Sequence, residues 1–175
     1  DQGRLVLDGP SGDVCEALYQ GMAAKAFRAT TVGRRVESSG EIEIIEISVL
    51  GEGGTNQIYS GEELNIWVTI RSKATVLSPS IIIGTHTSDF IYVSSAYSGE
   101  STQRPDIPEG VSTIKYRYRK FPVTNGLYMV RLSIYDANHR PMLLGESLAS
   151  FLVKSRIPEN NKAGMRLLEL EGEWL

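Results

Sequence analysis

With one cysteine and two histidines in 175 residues, the chain has little of the material from which redox, metal and nucleophile sites are made. A lone Cys15 excludes an internal disulfide framework and fits a reducing compartment. His86 and His139 stand far apart, without carboxylates or cysteines at ligand spacing. Each reads as a surface or strand-end residue, and no metal and no cofactor is expected. Charge of one sign is lacking too. The net charge of -3 sets up no field that would draw nucleic acid or an anionic membrane, and the aromatic-basic signatures of RNA modules are missing. No apolar run approaches the ~20 residues of a membrane span. Neither a Gly-x-Ser-x-Gly elbow nor a Gly-x4-Gly-Lys-Ser/Thr phosphate loop occurs. Glu169, Glu171 and Glu173 share one strand face and read as solubilising groups, not as a glycosidase pair. No enzymatic activity is expected. No secretory signal opens the chain, and its abrupt start reads as that of a fragment of a longer, cytoplasmic polypeptide.

What the chain has is alternation. Leu64, Ile66, Val68 and Ile70 sit two apart, as do Tyr128, Val130, Leu132 and Ile134. A period of two puts one face of a strand inward and the other in water. Further strands are expected over 80–87, 90–93, 111–121 and 146–154, with turn residues between them. Ile42 and Ile44 alternate in one phase and Ile45, Ile47 and Val49 in the other, which predicts a bulge near Ile44–Ile45. The fold class expected is all-β, an immunoglobulin-like or jelly-roll antiparallel β-sandwich, preceded by a short helical segment and a linker.

Composition changes near Gly40. Residues 1–26 read as strand, turn and helix, the helix over 13–26 capped by Ser11. Residues 27–40 have the polar, glycine-rich composition of an exposed linker, and 41–175 carry the sandwich. At the end, 156–164 reads as a hinge and 165–174 as one more alternating segment. That segment can fold back on its own domain or cross to a second copy.

Function must then be sought on the wet faces. Opposite the apolar set of 64–71 stand Asn65, Trp67, Thr69 and Arg71; opposite that of 111–119 stand Lys115, Arg117 and Arg119; opposite Val130 and Ile134 stand Arg131, Ser133 and Tyr135. Aromatic rings beside cations and small polar groups suit a sugar, whose C–H face stacks on the ring while donors take its hydroxyls. Candidate contacts are Trp67, Arg71, Arg117, Arg131, Ser133 and Tyr135. Some have a plainer reading, whereas Arg131 and Tyr135, a polar pair on an inner strand, are less easily explained by solubility alone. Trp67 can cover core residues beneath a loop, the basic stripe 115–119 can be a solvated edge strand, and Tyr116 and Tyr118 are assigned to the core.

The order of the motifs carries a resemblance. Residues 3–14, Gly-Arg-Leu-Val-Leu-Asp-Gly-Pro-Ser-Gly-Asp-Val, followed by Tyr19, resemble the end of an ABC-transporter ATPase domain. Residues 59–68, Tyr-Ser-Gly-Glu-Glu-Leu-Asn-Ile-Trp-Val, come next, after 44–49. Residues 125–136, Asn-Gly-Leu-Tyr-Met-Val-Arg-Leu-Ser-Ile-Tyr-Asp, and Gly-Glu-Trp at 172–174 complete the set. Together they resemble the C-terminal carbohydrate-binding domain of the ATP-binding subunit of O-antigen polysaccharide ABC exporters. The resemblance implies recognition of the polysaccharide at its modified non-reducing end, coupled to export at the inner membrane. It also implies a homodimer, joined in some members by exchange of the last strand, and a transmembrane subunit as partner of the parent protein. Glycan pockets in that family vary, so no ligand residue carries across by motif. Alternatives are a sandwich that only dimerises or docks a partner, and a secreted adhesion-type sandwich.

Overall fold

The computed structural model describes residues 35–100 and 105–155, together with 7–10, 14, 17, 18, 21, 167, 168 and 170. The helix read over 13–26 and the strand read over 165–174 lie for the most part outside the described residues. Among the described residues nine strands make two sheets: β1 (Arg35–Ser38), β2 (Ile42–Gly51), β3 (Gln57–Tyr59), β4 (Leu64–Ser72), β5 (Ser80–Thr87), β6 (Tyr92–Tyr97), β7 (Gly110–Tyr118), β8 (Gly126–Tyr135) and β9 (Pro141–Lys154). The larger sheet runs β1-β9-β8-β5-β6, with β3 parallel to the end of β9; the smaller runs β2-β4-β7. All other pairings are antiparallel.

The period of two does its work most plainly in β4. Leu64, Ile66, Val68 and Ile70 are fully buried, while Asn65, Trp67, Thr69 and Arg71 face outward. β7 alternates likewise, and Tyr116 and Tyr118 pack against the core as assigned. In β2 the register slips between Ile44 and Glu46, as the change of phase predicts. The extra residue, Ile45, turns outward, so Ile42 and Ile44 before it and Ile47 and Val49 after it face the same core. β8 and β5 lie between neighbours on both sides. Tyr128, Val130, Leu132 and Ile134 point inward from β8, and Ile81, Ile83 and Thr85 from β5. A ring cluster closes one end of the core: Phe121 lies 5.6 Å from Phe151 and 5.2 Å from Tyr118, and Tyr128 stacks on Phe151 at 5.8 Å.

Several segments differ from the sequence reading. Residues 35–38, read as linker, form β1 and pair with Leu143–Glu146 of β9. Their backbone bonds to β9 hold them, and Arg-Val-Glu-Ser shows no apolar period. β3 is three residues long, too short to show one. β6 spans Tyr92–Tyr97 and not 90–93, since polar Ser94 bonds inward, to Thr85 and Tyr118. β9 starts at Pro141, five residues early, because a bulge over Glu146–Leu148 breaks its alternation. The turn at Ser60–Gly61–Glu62 forms as expected, with Gly61 at a φ of 82°. Near the end of the chain, Leu168 bridges Val123 and the Leu167 carbonyl accepts from the Thr124 N–H.

One charged network ties two turns together. Arg140 meets the Glu41 carboxylate at 2.9 Å and Asp136 through its Nε at 3.0 Å. Arg140's hydrogen bond, then that of Ser39, holds the Glu41 carboxyl below its usual range. The Arg140 backbone N–H and then its guanidinium do the same for Asp136. A carboxyl whose folded pKa is lowered contributes stability that is complete above its unfolded pKa, about 4, and lost as pH falls through the lowered value. Urea denaturation on the acid side of pH 5 should therefore show stability falling with pH, and Arg140→Met should flatten that slope. An unchanged slope in the variant would remove the network from the acid response.

Candidate binding site

The six candidate residues divide between the two outer faces. Trp67 stands on the outer face of the smaller sheet, 40% exposed, between Ser48 and Lys115 in register. It faces solvent and covers no core. The Lys115 ammonium lies 5.1 Å from its ring centre. Arg71 pairs with Glu43 at 3.3 Å and Arg117 with Glu63 at 3.6 Å, all on the same surface. Arg131, Ser133 and Tyr135 project from β8 on the opposite side of the sandwich. Sheets stack about 10 Å apart, so these two outer faces cannot touch one sugar residue together. Ser133 is 2% exposed, shut between Ile82 and Leu144, and offers nothing to a ligand. Tyr135 is half-buried, opposite Ser80 and Pro141.

Around Arg131 the backbone is irregular in several places at once. Between Val130↔Ala149 and Leu132↔Gly145, one residue of β8 faces three of β9, namely Glu146, Ser147 and Leu148. Ser147 takes a φ of 52°, a left-handed value rare outside glycine, and this bulge turns Glu146 toward Arg131. A second bulge leaves Val93 unpaired between Ser94 and Tyr92, beside His86. The turn that follows β5 sets Phe90 at a φ of 63°. Backbone of this kind costs about 1–3 kcal/mol per residue and gathers where a side chain must be aimed.

What these distortions aim is a cluster of three polar groups. The Arg131 Nε lies 3.4 Å from Glu146 Oε1, and His86 Nε2 lies 3.7 Å from Glu146 Oε2. His86 Nδ1 is 2.7 Å from the Thr87 carbonyl oxygen, an acceptor, so this nitrogen carries a proton. His86 Nε2, Arg131 Nε and Glu146 Oε2 are buried and lack a hydrogen-bond partner. Buried polar atoms are nearly always bonded, so three orphans side by side call for an explanation. Aromatic rings wall the cluster. Phe90 stacks on the His86 imidazole at 5.0 Å, Tyr92 meets it edge-on, and the Arg131 guanidinium lies 4.6 Å from the Tyr92 ring centre. Gly84 lets Arg131 cross β5 to get there, since a Cβ on it would come within 3.2 Å of the arginine stem and 2.6 Å of the Ser94 carbonyl.

His86, Glu146, Tyr92 and Phe90 were not among the candidates. His86 sits at the end of its strand as read, but it is fully buried and not on the surface. Its phase, shared with Ile82 and Gly84 against Ile81, Ile83 and Thr85, was the available signal. Glu146 gave none, because the bulge hides its direction. Among the described residues no group of three or more His, Cys, Asp or Glu side chains could hold a metal ion, and no helix is long and apolar enough to cross a membrane.

No protein-family model matches the chain, and no curated protein matches it in sequence. Solved structures do match its fold. A Niemann-Pick type C2 protein from Japanese carpenter ant aligns over 70% of this chain and 99% of that one, at 9% identity and a TM-score of 0.44, too loosely to bear on function. The C-terminal domain of Wzt aligns with a TM-score of 0.67 over 82% of this chain and 89% of that one, at 12% identity. At such identity the likeness speaks for the fold, and the chain is an antiparallel β-sandwich on the plan of the Wzt C-terminal domain, the family its motifs resemble.

Proposed function

We propose that this chain is a carbohydrate-binding module of an ABC exporter, recognising O-antigen polysaccharide at its modified non-reducing end and coupling that recognition to export. The observation that carries the reading is the cluster of Arg131, Glu146 and His86 between Tyr92 and Phe90, on an outer sheet face of a Wzt-like fold. Rings that offer a face to C–H groups, beside donors and acceptors without partners, are a surface for binding a sugar, not for transforming one. On this reading Arg131 belongs to the site, Tyr135 lies four residues further along the same face of β8, opposite Ser80, and Trp67, Arg71 and Arg117 form a separate surface. The parent protein carries the ATPase upstream, works with a transmembrane subunit at the cytoplasmic face of the inner membrane, and pairs as a homodimer. Leu168 bridges Val123 of its own chain, as a segment folding back on its own domain would, and the same contact made on a second copy would exchange residues 165–174. No cofactor and no nucleic acid takes part.

Calorimetric titration with the O-polysaccharide of the source organism tests the reading and the choice of face. The unmodified chain should bind. Tyr92→Ala, at a residue 55% exposed, should weaken binding by about 1 kcal/mol, and Trp67→Ala by less. Loss at Trp67 with none at Tyr92 would move the site to the smaller sheet. No heat with the unmodified chain would leave a dimerising or docking module.

A further inference from the structure

Resting on that reading, we infer that the buried cluster of His86, Glu146 and Arg131 is a subsite for the neutral vicinal diol of a sugar residue, and that it excludes acidic sugars. The inference starts from what each atom can do. His86 Nδ1 is committed to the Thr87 carbonyl, so in the neutral tautomer of the ring the lone pair sits at Nε2. Glu146 Oε2, 3.7 Å away, is also an acceptor. In that tautomer two acceptors face each other, and both are buried without a partner. The Arg131 Nε–H beside them is a donor in the same condition. Two adjacent hydroxyls supply what is missing. One donates to Glu146 Oε2 and accepts from Arg131; its neighbour donates to His86 Nε2. A carboxylate, sulfate or phosphate cannot take the place of the diol, and a uronide, which keeps its diol, brings a negative charge on the same ring toward Glu146, whose own charge already offsets that of Arg131.

Entry is governed by the turn after β5. Phe90 covers the imidazole by stacking, yet it is 56% exposed and held at a left-handed φ of 63°. Its ring meets solvent on the side away from His86, so a sugar enters by displacing that ring, its apolar face then resting on His86 or beside Tyr92. Gly84 keeps the floor of the subsite open, because any side chain there would displace Arg131.

With only two histidines in the chain, imidazole nitrogen spectra of the labelled protein resolve His86 against His139 as an internal control. The probes are the methyl glycosides of glucose, galactose and mannose, their per-O-methyl ethers, and the matching methyl uronides. At least one neutral glycoside should move the His86 Nε2 resonance and leave that of His139 in place. Its per-O-methyl ether should not, and its uronide should bind at least about tenfold more weakly. Glu146→Gln keeps the shape and volume, and should weaken the neutral glycoside and narrow the gap to the uronide. If the whole polysaccharide binds while His86 stays unmoved, or if Glu146→Gln binds all probes as before, the cluster holds structural water and the subsite is lost although the module is still a lectin. A uronide that binds as tightly as its neutral partner overturns the selectivity. If nothing binds, the polysaccharide included, it is the functional reading itself that falls.

Discussion

A chain carrying Arg131→Met and Glu146→Leu together should fold about as stably as the native one and lose its hold on polysaccharide. The two side chains are mostly buried, 22% and 26% exposed, and their Nε–Oε1 distance of 3.4 Å is too long for a good hydrogen bond. Taking two charges from water is costly, and a pair of such poor geometry returns little of that cost. Arg131→Met alone removes the cation and leaves the carboxylate stranded, which should cost about 2–3 kcal/mol in urea denaturation. Adding Glu146→Leu removes the stranded charge, and stability should return to within about 1 kcal/mol of the native value. Binding should fall more than about tenfold in both variants, since the single one loses the donor to the sugar and the double one loses the donor and the carboxylate acceptor together. That split, stability regained while affinity is not, marks groups kept for function. A double variant that binds at native strength would make the cluster a structural feature only.

Phe151→Ala should be the most damaging single change. Phe151 is fully buried, on the inner face of β9, touching Phe121 and Tyr128 through ring contacts of 5.6 and 5.8 Å. Deleting the ring leaves a cavity that its two rigid aromatic neighbours cannot close, for a cost of about 3–5 kcal/mol. That is a large part of the 5–15 kcal/mol by which a domain is ordinarily stable, so thermal melting should drop steeply. Phe151→Leu should cost less, because leucine refills most of the volume. The change reaches the site as well, since Phe151 pairs with Tyr128 just beyond the bulge that aims Glu146. A loss below about 1 kcal/mol for the alanine variant would mean that the cluster is not packed as described.

How much was legible depended on whether a segment keeps its period. β4 and β5 could be bounded within a residue, and the inward set of β8 picked out, because each keeps its alternation with its apolar face against the opposite sheet. The β2 bulge was legible too, since a slipped phase in an isoleucine-rich run leaves a visible mark. β1 and β3 were not, because an edge strand held by backbone bonds needs no particular side chains. The site suffered most. Arg131 and Tyr135 could be picked out as polar residues on a central strand, but Ser133, read the same way, is sealed in place by its neighbours. Trp67 and Arg131 were grouped on chemistry, and the sandwich sets them back to back.

Amino-acid order alone determined the all-β class, the residues that turn inward, and the likeness to a polysaccharide-exporter domain. These follow from local periodicity and motif order, which a linear chain displays openly. Tertiary structure alone decided which wet residues share a surface, and that His86, Glu146 and Arg131 meet beneath Phe90 and Tyr92. The reason is that this meeting depends on two bulges and on the pairing of β9, β8, β5 and β6. Strand pairing joins residues distant in the chain, and a bulge redirects a side chain without altering the residue types that spell it.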